Sequence, residues 1–127
     1  MVIGIFIIFA FIIAGILTGI NVEIPYSYSQ YIAVAILACL DSVFGAFAAN
    51  TENKFKMSTF VSGFFGNALI AIFLTFIGVK LDVDIYLAVV IVFSGRLLNN
   101  FSTIRRNYLN RFENKKMKKK QEKLENN

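Results

Sequence analysis

The sequence predicts an all-α fold, an integral membrane bundle of four transmembrane helices with a basic cytoplasmic C-terminal tail. Three observations carry that expectation. The 127 residues are 57% hydrophobic, more apolar surface than a soluble domain of this size could bury in one core. The apolar residues fall in long uncharged blocks separated by short polar stretches. The net charge of +5 is also unevenly placed, because residues 105–127 carry nine Lys/Arg and three Glu, +6, leaving −1 for residues 1–104. These features exclude an ordinary cytosolic enzyme and argue against a nucleic-acid-binding domain. With no His and a single Cys, one chain can build neither a zinc cluster nor a disulfide, and it lacks the commonest general base. No metal site, cofactor or catalytic residue is therefore expected. Cys39 lies in an apolar stretch and reads as a small packing residue.

Residues 2–20 form the first expected helix, since Val2 to Ile20 is 19 residues without a charge and about 20 cross a bilayer. Nothing positive precedes this run and no small-residue cleavage site follows it, so a membrane helix is favoured over a removable signal peptide. Gly15 and Gly19 form a small-xxx-small pair that would let two helix backbones approach closely. Glu23, Pro25, Tyr26 and Tyr28 then mark a loop, with tyrosines suited to a membrane interface. The second helix is expected over 31–49, apolar apart from Cys39, Asp41 and Ser42. A polar stretch from Asn50 to Ser58 separates it from the third, at 59–79, whose most polar interior residue is Asn67.

The fourth helix, 85–104, needs more argument, because Arg96 interrupts the apolar run after Gly95. From Asp84 to Arg105 is about 31 Å at ~1.5 Å per residue, which matches the hydrocarbon thickness if Arg96, Asn99 and Asn100 face protein. A three-helix alternative would leave this stretch interfacial or re-entrant. Loop charge favours four. With the basic tail inside, the loops holding Glu23 and holding Lys80, Asp82 and Asp84 fall outside, the loop holding Glu52, Lys54 and Lys56 falls inside, and each has the expected sign. Both termini are then cytoplasmic. The chain divides into a transmembrane domain, 1–104, and a basic juxtamembrane helix and tail, 105–127.

Depth along the helices brings the polar residues together. Measured from the outer end at ~1.5 Å per residue, Asp41 lies about 16 Å in, Asn67 about 19 Å and Arg96 about 18 Å. Charges at the midplane are costly when they face lipid, so Asp41 and Arg96 are expected to pair, with Asn67 as a hydrogen-bonding neighbour and Asn100 one turn beyond. Gly45 and Gly63, each one turn from a cluster member, leave room for close helix approach. Two readings fit this cluster: a clasp that fixes helix register, or the lining of a proton or ion pathway or of a partner cleft.

In the tail, Ile104, Tyr108, Leu109 and Phe112 share one helix face flanked by Arg105, Arg106 and Arg111, which suits a cytoplasmic headgroup layer. Lys115, Lys116, Lys118, Lys119 and Lys120 follow as a polybasic run attractive to anionic lipid. A solvated orientation signal and an acidic protein partner are the other readings of that run.

Four ordered blocks carry a resemblance. Leu40-Asp41-Ser42-Val-Phe-Gly45, Phe60-Val-Ser62-Gly63-Phe64-Phe-Gly-Asn67, Gly78-Val-Lys-Leu81-Asp-Val-Asp84-Ile-Tyr86-Leu87-Ala88 and Arg96-Leu-Leu-Asn-Asn100-Phe-Ser-Thr-Ile104-Arg105-Arg106-Asn resemble the bacterial small basic protein family over about residues 35–109. The chain departs from that pattern at Ala46 and Ala48, where a second Gly and an Arg are expected, and by placing a Gly at 95 rather than 94. The resemblance implies a small integral membrane protein, often encoded near cell-division genes, in which Asp41, Asn67, Arg96 and Asn100 matter. It names no reaction. The expected function is thus a non-enzymatic accessory or scaffold in division or envelope processes at the bacterial cytoplasmic membrane. Its expected partners are anionic lipid at the tail and a second copy or other membrane proteins. A small oligomeric channel or transporter subunit with a polar midplane constriction is the alternative.

Overall fold

The computed structural model describes residues 2–126, with side chains described throughout except at 2–5, 7–9 and 11. Four helices follow one another: α1 (Val2–Gly19), α2 (Tyr26–Thr51), α3 (Met57–Leu81) and α4 (Ile85–Glu125). No strand occurs among the described residues. The helices α2, α3 and α4 are each long and apolar enough to cross a membrane. Among the described residues α1 packs against none of the others, and these three form the bundle.

Helix boundaries depart from the sequence reading at two places. Pro25 stands immediately before α2, with φ −55° and ψ 136°, so the helix begins at Tyr26 rather than Tyr31. A proline at a helix entry has its φ already set and has no N–H to leave unpaired. Tyr26 and Tyr28 therefore sit on the first turns of α2 instead of in a loop. The second departure is the length of α4, 41 residues, or about 60 Å at ~1.5 Å per residue. No Gly or Pro follows Gly95, and the Lys, Arg, Glu, Gln, Met and Leu that dominate the tail are good helix formers. The helix therefore continues through residue 104 without a break.

Two tight turns fold the bundle. After α2, Asn53 adopts a left-handed conformation (φ 59°) and Lys54 N–H donates to the Ala49 carbonyl at 2.8 Å. After α3, Asp82 does the same (φ 54°) while Val83 N–H donates to the Gly78 carbonyl at 3.0 Å. Both are Schellman-type ends, built on Asn and Asp, the non-glycine residues that tolerate this region best. Gly78 is required here, because a Cβ on it would lie 2.8 Å from the Ile85 Cβ and 2.8 Å from the Val83 carbonyl oxygen. The Asp84 carboxylate then accepts from Leu87 N–H at 3.2 Å and caps α4.

The core is Val34 and Ala38 on α2, Ala71 on α3, and Val89 and Phe93 on α4. Continued at alternating steps of three and four, the α2 stripe reaches Asp41, Gly45 and Ala48, and the α4 stripe reaches Arg96 and Asn100. Such a spacing keeps one face of a helix against its neighbour. The polar residues thus occupy the packing seam itself.

Candidate functional site

Asp41 lies on the buried stripe of α2, and its side chain has no exposed surface, whereas Arg96 keeps 55% of its side chain exposed. Arg96 Nη2 stands 3.0 Å from Asp41 Oδ2. That contact is an ion pair without hydrogen-bond alignment, since Oδ2 is left with no hydrogen bond. The other carboxylate oxygen, Oδ1, accepts from Asn100 Nδ2 at 3.3 Å. One buried carboxylate on α2 therefore holds two successive turns of α4. Arg96 also lies over the Phe93 ring, 5.8 Å from its centroid, a distance at which a cation and an aromatic face attract.

Asn67 is turned toward Ser42 rather than toward the ion pair, and its Nδ2 donates to Ser42 Oγ at 3.2 Å. Ser42 in turn donates to the Ala38 carbonyl at 3.1 Å. Ser42 is thus the polar contact to Asn67 that the depth argument passed over. Its signal was adjacency to Asp41, which on a helix points the two side chains about 100° apart, one toward α4 and one toward α3.

A second contact group closes the far end of the bundle. Asn107 Nδ2 donates to Thr51 Oγ1 at 2.8 Å and Arg111 Nη2 donates to the Thr51 carbonyl at 2.6 Å. A cation on the last carbonyls of a helix satisfies an orphan acceptor and opposes the negative end of the dipole. Arg111, expected as part of a basic tail surface, therefore braces the end of α2. Pairs on α2 and α4 are separated by 56 to 60 residues along the chain, so the two helices run parallel.

The expected packing glycines separate. A Cβ on Gly45 would sit 3.5 Å from Asn100 Nδ2, the place where α2 and α4 come close beside the cluster. Among the described residues a Cβ on Gly15, Gly19 or Gly63 would meet nothing within 4 Å, so at none of the three does the missing side chain face a close neighbour. The reason is rotation: small residues permit close approach but do not turn a helix face toward a neighbour. Arg105, Arg106, Lys115, Lys116, Lys118, Lys119 and Lys120 are exposed along α4, with Lys116 Nζ 4.9 Å from the Phe112 ring centroid.

Asp41, Ser42, Asn67 and Arg96 line one end of a cavity of about 210 Å³ that continues between α2 and α3 to Lys54 and Lys56 in the turn. Among the described residues no group of three or more His, Cys, Asp or Glu side chains could hold a metal ion. The polar arrangement can pair charges, hold water and bind anions, and it offers no nucleophile and base in contact.

A family model described as "Protein of unknown function (DUF1290)" matches residues 24–109. That region starts just before α2 and includes the whole cluster and the Asn107 contact. The small basic protein of Bacillus subtilis (strain 168) is 42% identical over 111 residues, covering 86% of this chain and 92% of that protein. Uncharacterized proteins of Mycobacterium bovis and Mycobacterium tuberculosis are 32% identical over 96 residues, covering 72% of this chain and 79% of each. No solved structure matches the chain.

Proposed function

The chain belongs to the small basic protein family, DUF1290, and from that membership we propose that it is a non-enzymatic protein of the bacterial cytoplasmic membrane. It crosses the bilayer with both termini inside and serves as an accessory or scaffold in division or envelope processes. The observation that carries this reading is the continuity of α4. One helix holds Arg96 and Asn100 against Asp41, braces α2 through Asn107 and Arg111, and goes on to present Lys115 to Lys120. A buried clasp thereby fixes the direction of a basic rod, which suits a protein that positions partners. The polybasic segment adds attraction to anionic lipid of about 1 kcal/mol per charge near the surface.

Cross-linking and pull-down in native membranes test this, comparing the intact chain with one truncated after Phe112. Loss of the captured partners on truncation supports recognition by the tail, unchanged partners move recognition to the bundle, and capture of none from either form contradicts a scaffold.

The cavity beside Asp41 favours one second reading, a channel or transporter subunit whose polar level is its constriction. Flux into proteoliposomes that is lost in Asp41→Asn would replace the scaffold reading with this one.

A further inference from the structure

The outward face of α4 carries polar groups that the chain itself leaves unused. Asn67 and Asn100 each donate across a helix interface, whereas none of the hydrogen bonds between helices among the described residues involves Asn99. Asn99 is exposed and stands about 100° round the helix from Asn100, so it is turned away from Asp41. Ser102, three residues further along the same face, is exposed as well. Counted from Asp84 at ~1.5 Å per residue, Asn99 lies about 22 Å into a hydrocarbon layer of about 30 Å. Its side chain is too short to reach the inner headgroups from there, as a Lys or Arg can. Lipid tails offer no hydrogen bond, so at this depth a carboxamide is satisfied by another helix.

The rest of the chain does not supply that helix. Among the described residues α1 packs against no other element, and residues 2–17 hold no polar side chain. Its polar residues Thr18 and Asn21 stand at the outer end, each bonded to its own helix. On α3, the exposed Ser62 is bonded to the Thr59 carbonyl of its own helix.

The residues around Asn99 describe the missing partner. Ala88, Val92, Gly95, Asn99 and Ser102 are all exposed and follow one another at steps of four, three, four and three, the spacing of a coiled-coil seam. In that register Val92 and Asn99 take the a positions, and Ala88, Gly95 and Ser102 take the d positions. A Cβ on Gly95 would meet nothing within 4 Å, so one turn from Asn99 a second backbone can come close. In a parallel pair, an Asn at an a position faces its own counterpart, and its side chain carries both donors and an acceptor. Two copies inserted in the same orientation set their Asn99 side chains at one depth, where each donates to the other. An unrelated helix has no such match built in. Arg106 comes next on the stripe and would bring like charges together, so the seam ends at Ser102.

We propose that α4 is the seam of a homodimer, in which two copies pair in parallel along Ala88, Val92, Gly95, Asn99 and Ser102 and a reciprocal Asn99 hydrogen bond fixes the register. The inference rests on α4 crossing the bilayer, which belongs to the function proposed above, and not on the scaffold role. The Asp41 and Arg96 pair and the brace at Thr51 stay within each copy. Dimerisation sets two basic rods beside each other at the membrane surface, so a partner that binds the tail meets two sites at once.

The test uses the full-length chain carrying Cys39→Ala. Single cysteines are introduced on the seam, Val92→Cys or Ser102→Cys, and on other sides of α4 at the exposed positions Leu87→Cys or Phe101→Cys. On oxidation in native membranes, the seam cysteines should give several-fold more disulfide-linked dimer than the other two. In liposomes, energy transfer between labelled copies measures dimer affinity. Asn99→Leu should weaken it about threefold to tenfold, and Asn99→Gln, which keeps donor and acceptor, should weaken it little. Thermal melting of the bundle should not change in Asn99→Leu, because Asn99 holds nothing within its own chain. Equal cross-linking at all four positions, unchanged affinity in Asn99→Leu, or a Ser102→Cys product with a different protein in place of a second copy overturns the seam. Labelling of Asn99→Cys by a water-soluble maleimide in inverted membrane vesicles, as fast as labelling of Lys120→Cys, would show that α4 is not in the bilayer at that point. That result removes the membrane reading itself, whereas slow labelling with no seam cross-link removes the dimer alone.

Discussion

The Asp41 side chain is wholly buried while the Arg96 side chain, whose Nη2 lies 3.0 Å away, remains more than half exposed. The two halves of this ion pair therefore have unequal claims on solvent. Water can stabilise Arg96 alone, but among the described residues only Arg96 and Asn100 contact the Asp41 carboxylate.

Removing the two partners should consequently have unequal costs. Arg96→Ala leaves a buried carboxylate without its cation and should destabilise the bundle by about 3–5 kcal/mol. Asp41→Ala removes the buried charge itself and should cost less than half as much. Reversible unfolding in mixed detergent micelles measures both. Equal losses would show that the burial of Asp41 does not govern the pair.

Gly78 should be the least replaceable glycine in the bundle. Its missing Cβ would lie 2.8 Å from both the Ile85 Cβ and the Val83 carbonyl oxygen, so Gly78→Ala forces the turn apart and should cost about 1–3 kcal/mol. Gly63→Ala enters open space and should change the melting temperature little. A Gly78→Ala protein that melts like the wild type would mean that the α3–α4 turn is not held as described.

The brace at Thr51 should keep α4 upright beyond the bundle. Asn107→Ala removes one hydrogen bond and should cost about 1 kcal/mol, read as faster hydrogen exchange from residue 107 onward with residues 85–100 unchanged. In the wild type a spin label at residue 120 should be reached by a water-soluble relaxation agent and not by oxygen dissolved in the bilayer. If the label instead reports headgroup depth, α4 bends beyond Arg111 and lies along the membrane.

Counting residues along helices was enough to bring Asp41, Asn67 and Arg96 to one level, because rise per residue is nearly constant and the turns are short. It could not show that Asn67 faces Ser42, since depth carries no information about rotation around a helix axis. The same gap explains Gly63: a position can be level with the cluster and still open onto the cavity. Hydropathy placed the middle of each helix well and its ends poorly. Tyr26 to Gln30 is polar enough to resemble a loop, yet Pro25 starts the helix there, and the juxtamembrane helix expected after Ile104 proves continuous with the membrane segment, a continuity that depends on propensity. The isolation of α1 among the described residues was not legible at all, because an apolar helix has the same sequence whether it packs on its own chain or elsewhere.

The role of the Asp41 and Arg96 pair as the joint between α2 and α4 is most directly tested by a double-mutant cycle on Asp41→Asn and Arg96→Gln, with unfolding free energy as the readout. The double variant should be less damaged than the sum of the single losses by about 1–3 kcal/mol, the coupling of two charges in contact. Losses that add to within about 0.5 kcal/mol would mean that the two residues act independently, and the clasp would have to be abandoned.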